Sequence, residues 1–179
     1  ISLALTAHAP LHHVSSGAVA GVNPTAAELV NESGYTATKA VAEALVSRAV
    51  DESGLVATVY RCGTVTASAV TGVANRNDYP SRYLETCFEL RMAVDSTAPF
   101  ETIPADTCAE IVAAVAASSD ERPLVLPIAN PASRSYADVA RELHALDDRV
   151  RAVDAATFAL AVSRSSSRLR PLSLALSDR

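Results

Sequence analysis

The chain has 179 residues, of which 49% are hydrophobic and 20% are charged, a balance typical of a folded globular protein and far from that of a disordered chain. Fifteen basic and twenty acidic residues give a net charge of −5, which disfavours nucleic acid or an anionic membrane surface as a partner. No apolar run approaches the roughly 20 residues that cross a bilayer, so we expect no membrane-embedded segment.

The cysteine content indicates a reducing environment. Cys62, Cys87 and Cys108 are widely spaced, form no CxxC pair and are odd in number, which argues against a disulfide framework and against a zinc site. We therefore expect a cytoplasmic location and no metal. Residues 1–9 lack an initiator Met and a basic flank, so we interpret them as a chain entered midway through a helix and not as a secretory leader.

The first predicted elements are a strand, a helix and a second strand. Leu11–Ser16 predicts a strand that ends in small hydroxyl residues. From residue 35 to about 53, apolar residues recur every three or four positions while Glu43, Arg48 and Glu52 take the polar face. Gly54 ends this predicted helix. Residues 55–60 lack polar alternation, which is typical of a parallel strand covered on both faces.

Helical patterns and short apolar runs continue to alternate downstream. We expect a loop over residues 75–80, a helix over 81–94, a short strand over 100–103, a helix capped by Asp106, a strand over 123–128 and a helix over Tyr136–Leu146. Strands separated by helices of this length indicate an α/β fold, a Rossmann-type mainly parallel sheet with flanking helices. Beyond Asp147 the signal weakens, with an exposed connection predicted over 164–170 and a last apolar stretch over 172–176.

The most informative motif is Tyr35-Thr36-Ala37-Thr38-Lys39. Residues four apart on a helix share a face, so the ammonium of Lys39 is expected beside the phenol of Tyr35. A cation next to a phenol favours the phenolate, which makes the phenol a usable proton donor near neutral pH. Lys39 is the only lysine among fifteen basic residues, which makes a chance pairing uncommon; the structural alternative is a surface helix that happens to carry both residues.

A serine pair completes the candidate catalytic set. Ser15 and Ser16 come at the carboxyl end of the first predicted strand, where open α/β sheets bind their ligands. A hydroxyl donor, a proton donor and a cation together suit the reduction of a carbonyl group by hydride. The alternative is that the serine only terminates a strand, a common place for this residue.

These features resemble the extended short-chain dehydrogenase/reductase superfamily. Within it, the sequence is similar to the thioester reductase domain that ends some non-ribosomal peptide and polyketide synthases and occurs in carboxylic acid reductases. The resemblance is carried by residues 11–16, 34–43, 59–63, 71–72 and 103–109 together with Asn75, Asp78 and Arg82. It implies Ser16, Tyr35 and Lys39 as the catalytic residues, with Ser15 in place of Ser16 if the register is shifted by one.

The resemblance also implies the cofactor and the residues that bind it. The cofactor is NADPH, and its implied contacts are Ser15, Tyr35, Lys39, Arg61, Cys62, Gly63 and Val65. The implied substrate contacts are Gly17, Asn75, Asp78 and Arg82. Cys62 replaces the proline of the family's Arg-Pro-Gly sequence. Arg61 could equally be a structural ion-pair partner, and Asp78 could equally cap the following helix.

The activity implied by the resemblance is NADPH-dependent reductive release of a thioester. An acyl or peptidyl thioester on a phosphopantetheinylated carrier protein would be reduced to an aldehyde, and then in some members to an alcohol. The six glycines form no glycine-rich turn for a pyrophosphate, so we expect the C-terminal half of such a reductase, inactive by itself. We assign residues 1–130 to the Rossmann-type domain with the catalytic helix, and 131–179 to a helical region that faces substrate and carrier.

Two other functions stay open at this point. A sugar-nucleotide epimerase or dehydratase of the same superfamily would share the Tyr/Lys pair. A non-catalytic interaction module would keep the fold without the cofactor half. Arg164, Arg168 and Arg170 form a basic cluster in an acidic chain, which is either a solvated connection or a docking patch for an acidic carrier protein.

Overall fold

The structure, a computed structural model, describes residues 1–22, 24–25, 29–30, 32–118 and 124–167. The chain forms two compact units: residues 1–65 with 106–129, and residues 66–105 with 130–179. The functional division at residue 130 stays a prediction, since these units group residues by packing and not by role. Among the described residues, no helix is long and apolar enough to cross a membrane.

Helices and strands alternate along the described chain. The helices are α1 (Ser2–Ala7), α2 (Gly34–Ser53), α3 (Tyr79–Leu90), α4 (Ala105–Ala117), α5 (Tyr136–Leu146) and α6 (Ala155–Arg164), and a short 3-10 helix covers Gly17–Val19. The strands are β1 (Leu11–Ser16), β2 (Ala57–Cys62), β3 (Val65–Thr66), β4 (Met92–Val94), β5 (Pro99–Phe100), β6 (Ile103–Pro104), β7 (Val125–Ile128), β8 (Arg134–Ser135) and β9 (Arg151–Val153). The predicted α/β class is confirmed.

The first unit is built on a parallel sheet with the strand order β1-β2-β7. β1 and β2 run in register from Leu11 opposite Ala57 to Ser16 opposite Cys62, so the two strands end side by side. Successive strand residues point to opposite faces, and Arg61 accordingly contacts α2 while Cys62 contacts α4. The sheet therefore brings the carboxyl ends of β1 and β2 to one edge, as a parallel arrangement requires.

Helix α2 is capped at both ends, and Gly54 ends it as predicted. The hydroxyl of Ser33 accepts a hydrogen bond from the backbone N–H of Thr36 at 3.1 Å, which satisfies a free donor of the first turn. Gly54 ends the helix with φ of 64°, a left-handed conformation that glycine adopts without strain. The buried side chains follow helical spacing and face the sheet; they are Thr36, Ala40, Glu43 and Val46.

The second unit has a core of aromatic side chains around Tyr83. This tyrosine is fully buried, and its ring centroid lies 5.4 Å from that of Phe100, 5.3 Å from Tyr136 and 5.6 Å from Phe158. Its hydroxyl accepts a hydrogen bond from the backbone N–H of Val94 at 3.1 Å. The buried polar atom is thus paired, as a packed core requires.

The structure corrects several predicted boundaries in residues 75–110. The helix predicted over 81–94 corresponds to α3, which covers Tyr79–Leu90. Asp78 caps its start, and Arg91, with φ of 54°, ends it. Met92–Val94 is strand β4, paired in parallel with β9. Residues 100–103 are not one strand, since they are divided between β5 and β6. Helix α4 begins at Ala105, so Asp106 lies in its first turn and is not its cap.

Other predicted elements are found with small shifts. The helix Tyr136–Leu146 and the strand Leu11–Ser16 are confirmed, and the helix expected within residues 1–9 covers Ser2–Ala7. The strand predicted over 55–60 lies at Ala57–Cys62, and β9 and α6 occupy the part where the sequence signal was weak. The apolar stretch predicted over 172–176 lies outside the described residues, as do Arg168 and Arg170.

Two aspartates in the second unit stabilise helix starts. Asp138 accepts hydrogen bonds from the backbone and hydroxyl of Ser135 in a capping box, and these bonds lower the pKa of its carboxyl. Asp154 accepts hydrogen bonds from the hydroxyl and backbone of Thr157, which lower its pKa in the same way. Both carboxyls are therefore stabilised in their charged form by folding.

We expect this pair to contribute acid-sensitive stability. A folded-state pKa below the unfolded value, 3.8, stabilises the fold above that pH, and the contribution is lost as the pH falls through the folded pKa. Asp138→Asn with Asp154→Asn should therefore lower the urea midpoint of the intact protein at pH 7, and the difference from the parent should vanish in strong acid. Glu89→Gln, at an exposed position of α3, is the control. A difference that stays constant with pH would contradict this prediction.

Candidate active site

The candidate site lies where β1 ends beside the first two turns of α2. Tyr35 is in the first turn and is 58% exposed. One turn later, the Nζ of Lys39 donates a hydrogen bond to the backbone carbonyl of Val14 at 2.9 Å. Since Val14 directly precedes the two serines of β1, this bond holds the ammonium at the edge where β1 and β2 end. Among the described residues, no hydrogen-bond partner is found for the Tyr35 hydroxyl, which is free to meet a ligand.

Ser15 and Ser16, the two alternatives for the catalytic hydroxyl, lie in different surroundings in the structure. Ser15 is 4% exposed, and its hydroxyl donates a hydrogen bond to the carboxylate of Glu43. Ser16 is the last residue of β1, is half-buried, and accepts a hydrogen bond from the N–H of Ala18 at 3.2 Å. No described residue is found to accept a hydrogen bond from its hydroxyl. The Ser15 side chain is engaged in the interior, which favours Ser16 as the hydroxyl of the candidate site.

Glu43 is a residue whose burial the sequence analysis missed. The sequence placed it on the polar face of α2 with Arg48 and Glu52, but Glu43 is only 8% exposed. Its Oε2 accepts hydrogen bonds from the Nη2 of Arg61 at 2.7 Å and from its Nε at 3.0 Å. The spacing of Glu43 from Ala40 and Val46, three residues on each side, is the signal that could have placed it on the inner face. Arg48 and Glu52 do form an exposed pair, at 3.1 Å.

The end of β2 packs closely against its neighbours. The Sγ of Cys62 lies 3.4 Å from that of Cys108 on α4, and burial, followed by this contact, raises the pKa of Cys62 to about 12. The N–H of Gly63 donates to the carbonyl of Ile128 at 2.8 Å, and a Cβ on Gly63 would lie 3.4 Å from that oxygen. The Cys62 thiol therefore points into the interior, and the cofactor contacts predicted for Cys62 and Gly63 stay predictions.

Gly17 and Val65 complete the predicted residues of this unit. Gly17 is exposed and begins the 3-10 helix after Ser16. A Cβ built on it would lie 3.5 Å from the carbonyl oxygen of Cys62, so the chain after β1 passes close to the end of β2. Val65 is half-buried in β3. Their roles as substrate and cofactor contacts stay predictions.

The two adjacent histidines of β1, His12 and His13, point to opposite faces, as neighbouring strand residues do. The Nδ1 of His12 is hydrogen-bonded to the hydroxyl of Tyr60 at 2.8 Å. The Nε2 of His13 is buried and, within the described part of the chain, has no hydrogen-bond partner. Burial lowers the pKa of His13, and the positive charge of Lys39 lowers it further. Both effects favour the neutral form of the His13 imidazole.

Three predicted substrate residues belong to the second unit. The side chain of Asn75 accepts a hydrogen bond from the N–H of Asn77 at 3.0 Å. Asp78 caps α3 by accepting from the N–H of Ser81 at 2.8 Å, which is the structural alternative that the sequence left open. Arg82 is half-buried in the first turn of the same helix. Their predicted role in substrate binding is not tested by these contacts.

A cleft of about 420 Å³ in the first unit lies apart from the candidate catalytic pair. It opens on the inner side of α2, and its lining includes Ser47, Asp51 and Val59. Neither Tyr35 nor Lys39 lines it, whereas Glu43 and Arg61 do. The Tyr35 and Lys39 side chains therefore lie outside this cleft.

Tyr35 and Lys39 suit the nicotinamide end of a dinucleotide cofactor. An exposed phenol and an ammonium held at the ends of parallel strands are suitable donors for a nicotinamide ribose. The glycines offer no match for its pyrophosphate, because none of the six lies in a glycine-rich turn between a strand and a helix. Within the described part of the chain, the predicted cofactor residues therefore suit the nicotinamide end of the dinucleotide.

A parallel Rossmann-type sheet with a Tyr/Lys helix after its first strand fits the extended short-chain dehydrogenase/reductase class that the sequence resembles. The comparisons with known proteins agree with this class. The chain belongs to the NAD-binding family described as "Male sterility protein", which matches residues 1–112.

The chain is similar to parts of longer proteins. It is 31% identical over 105 residues to the non-canonical non-ribosomal peptide synthetase ascB of Acremonium egyptiacum, covering 58% of this chain and 10% of that protein. It is 35% identical over 86 residues to the L-2-aminoadipate reductase large subunit of Eremothecium gossypii, covering 48% and 6%. The terminal R domain of the myxalamid PKS-NRPS pathway has the same fold, with a TM-score of 0.81, 23% identity and coverage of 96% of this chain and 47% of that one. The chain thus spans about half of that reductase domain.

Proposed function

We propose that this chain is the catalytic half of an NADPH-dependent reductase that releases a carrier-bound acyl or peptidyl thioester as an aldehyde. The observation that carries the proposal is the exposed Tyr35 on the helix whose Lys39 is hydrogen-bonded to Val14 of β1, two residues before Ser16. Hydroxyl donors and a cation at the rim of a parallel sheet suit a reaction in which a carbonyl oxygen gains negative charge.

The roles of the residues follow from their chemistry. A bound reduced nicotinamide supplies the hydride. Ser16 and Tyr35 donate hydrogen bonds to the thioester oxygen as it becomes negative, and Tyr35 holds the proton that this oxygen or the departing thiolate requires. Lys39 orients the ribose and favours the negative charge beside it. Loss of the thiol leaves the aldehyde, so one hydride and one proton convert one thioester into one aldehyde and one thiol.

The relatives support the substrate class. One is a non-ribosomal peptide synthetase and another is the large subunit of an aminoadipate reductase. We therefore infer that the substrate is a thioester on the phosphopantetheine arm of a carrier protein. Cys62, Cys87 and Cys108 are free thiols, which supports the reducing, cytoplasmic location inferred from the sequence.

An oxidation assay on the intact protein, with the nucleotide-binding half present, tests this proposal. We expect thioester-dependent oxidation of NADPH with release of an aldehyde, using a carrier-bound acyl thioester and a soluble acyl thioester as substrates. A nucleotide sugar is the competing substrate, and NADH is the competing cofactor. Turnover of the nucleotide sugar without turnover of either thioester would assign the chain to the epimerase class, and no turnover of any substrate would favour an interaction module.

A further inference from the structure

A buried carboxylate connects α2 to the ends of two strands. Glu43 accepts hydrogen bonds from the Ser15 hydroxyl on β1 and from both Nε and Nη2 of Arg61 on β2. Ser15 and Arg61 are directly opposite each other in the register of the two strands. One side chain of α2 therefore holds both strands one residue before Ser16 and Cys62, where they end.

The position of Glu43 on α2 links this contact to the candidate catalytic residues. Glu43 follows Lys39 by four residues and Tyr35 by eight, so all three lie on the same side of the helix, spread over about 12 Å. The Lys39 bond to Val14 is a second contact between α2 and β1. Two contacts along one face fix both the rotation of the helix about its axis and its height above the sheet.

Stability alone gives a poor account of this network. A carboxylate with a side-chain exposure of 9% and a guanidinium with 28% lose much of their hydration, and an apolar pair of similar volume often stabilises a fold as well or better. Directional hydrogen bonds differ from apolar contacts in that they specify one relative placement of helix and strands. Placement is what a catalytic set drawn from β1 and α2 requires.

We infer that Glu43 is a positioning residue for the proposed reaction. Its carboxylate holds the ends of β1 and β2 against α2, so that Ser16 on the strand and Tyr35 with Lys39 on the helix meet the same carbonyl oxygen. Arg61 acts as the structural partner of Glu43, since both Nε and Nη2 are engaged with it. This inference rests on the proposed reductase function and adds to it a residue that contacts neither substrate nor cofactor.

The test is Glu43→Gln in the intact protein, which keeps the size of the side chain and an acceptor for Ser15 but removes the charge. We expect kcat for thioester reduction to fall at least about tenfold, because small displacements of reacting groups slow catalysis strongly, while KM for NADPH stays within about threefold. Glu52→Gln, which breaks the exposed pair with Arg48 on the same helix, is the matched control and should leave kcat unchanged.

A double variant separates positioning from folding and from a direct cofactor role of Arg61. Glu43→Leu with Arg61→Met replaces the ion pair by apolar groups that preserve the fold, and it takes the place of Glu43→Gln if that variant does not fold. If Arg61 acts only through Glu43, the double variant should lose no more kcat than Arg61→Met alone, and KM for NADPH should not rise. A folded variant, single or double, that keeps kcat within about twofold of the parent would overturn the inference.

If the proposed reductase function is wrong, the unmodified protein will turn over no thioester, and the kcat comparison cannot be made. In that case, the rate of amide hydrogen exchange in residues 34–40 tests whether Glu43 positions the start of α2. At least about tenfold faster exchange there in Glu43→Gln, with no change in Glu52→Gln, supports the positioning role. Unchanged exchange would overturn it.

Discussion

Replacing Tyr35 by Phe is expected to lower kcat of the intact enzyme by about 10² or more, the loss typical of removing a general acid. The substitution removes only the hydroxyl of a side chain that is 58% exposed, so the fold has little reason to respond. KM for the thioester and for NADPH should change far less than kcat, since the hydroxyl acts mainly when charge develops on the substrate oxygen. Steady-state kinetics with a soluble acyl thioester measure this effect.

The matched control for this substitution is Tyr136→Phe in the second unit. Tyr136 is buried, and its hydroxyl is hydrogen-bonded to that of Tyr79 at 2.8 Å, so its loss should affect the free energy of unfolding and not kcat. Near-normal turnover by Tyr35→Phe, or an equal loss of kcat in both variants, would reject the proton-donor role of Tyr35.

Replacing Phe158 by Ala is expected to lower the free energy of unfolding by about 3–5 kcal/mol, the usual cost of removing a fully buried aromatic ring. Phe158 is 0% exposed and lies against Tyr83 in the centre of the second unit's core. Tyr83 is held by its hydrogen bond to Val94, which opposes its movement into the empty volume. Urea unfolding of the intact protein, followed by tyrosine fluorescence, measures the loss.

Phe88→Ala provides the comparison, because Phe88 lies on α3 with 41% of its surface exposed. Its loss should cost about 1 kcal/mol or less, as is usual for substitutions near the surface. Equal losses at Phe88 and Phe158 would show that the ring cluster is not the core of this unit.

Features that depend on neighbours along the chain could be predicted from the sequence. Helix α2 follows from a serine cap, an apolar repeat and a glycine stop, all within 22 residues from Ser33 to Gly54. The relation of Tyr35 to Lys39 follows from the same helical spacing. The helix over 81–94 was predicted too long for a related reason: no local signal marks Arg91, whose left-handed backbone ends α3.

The candidate site illustrates what local patterns leave undecided. The alternatives at Ser15 or Ser16, and the structural or cofactor role of Arg61, could not be separated from spacing. Both depend on Glu43, which lies 28 residues from Ser15 and 18 from Arg61. The same limit applies to Cys62 and Cys108, which are 46 residues apart in sequence and meet across the other face of the sheet.

The sequence by itself therefore determined the α/β class, the helix that carries Tyr35 and Lys39, and the strand that ends in Ser16, because each arises from the repeat of a single helix or strand. Only the tertiary structure decided that Glu43 is buried, that Ser15 faces inward and that Arg61 is its neighbour across the sheet. The physical reason is strand register: pairing β1 with β2 residue by residue selects which distant side chains meet beneath α2, and a shift of one residue would send each of them to the opposite face.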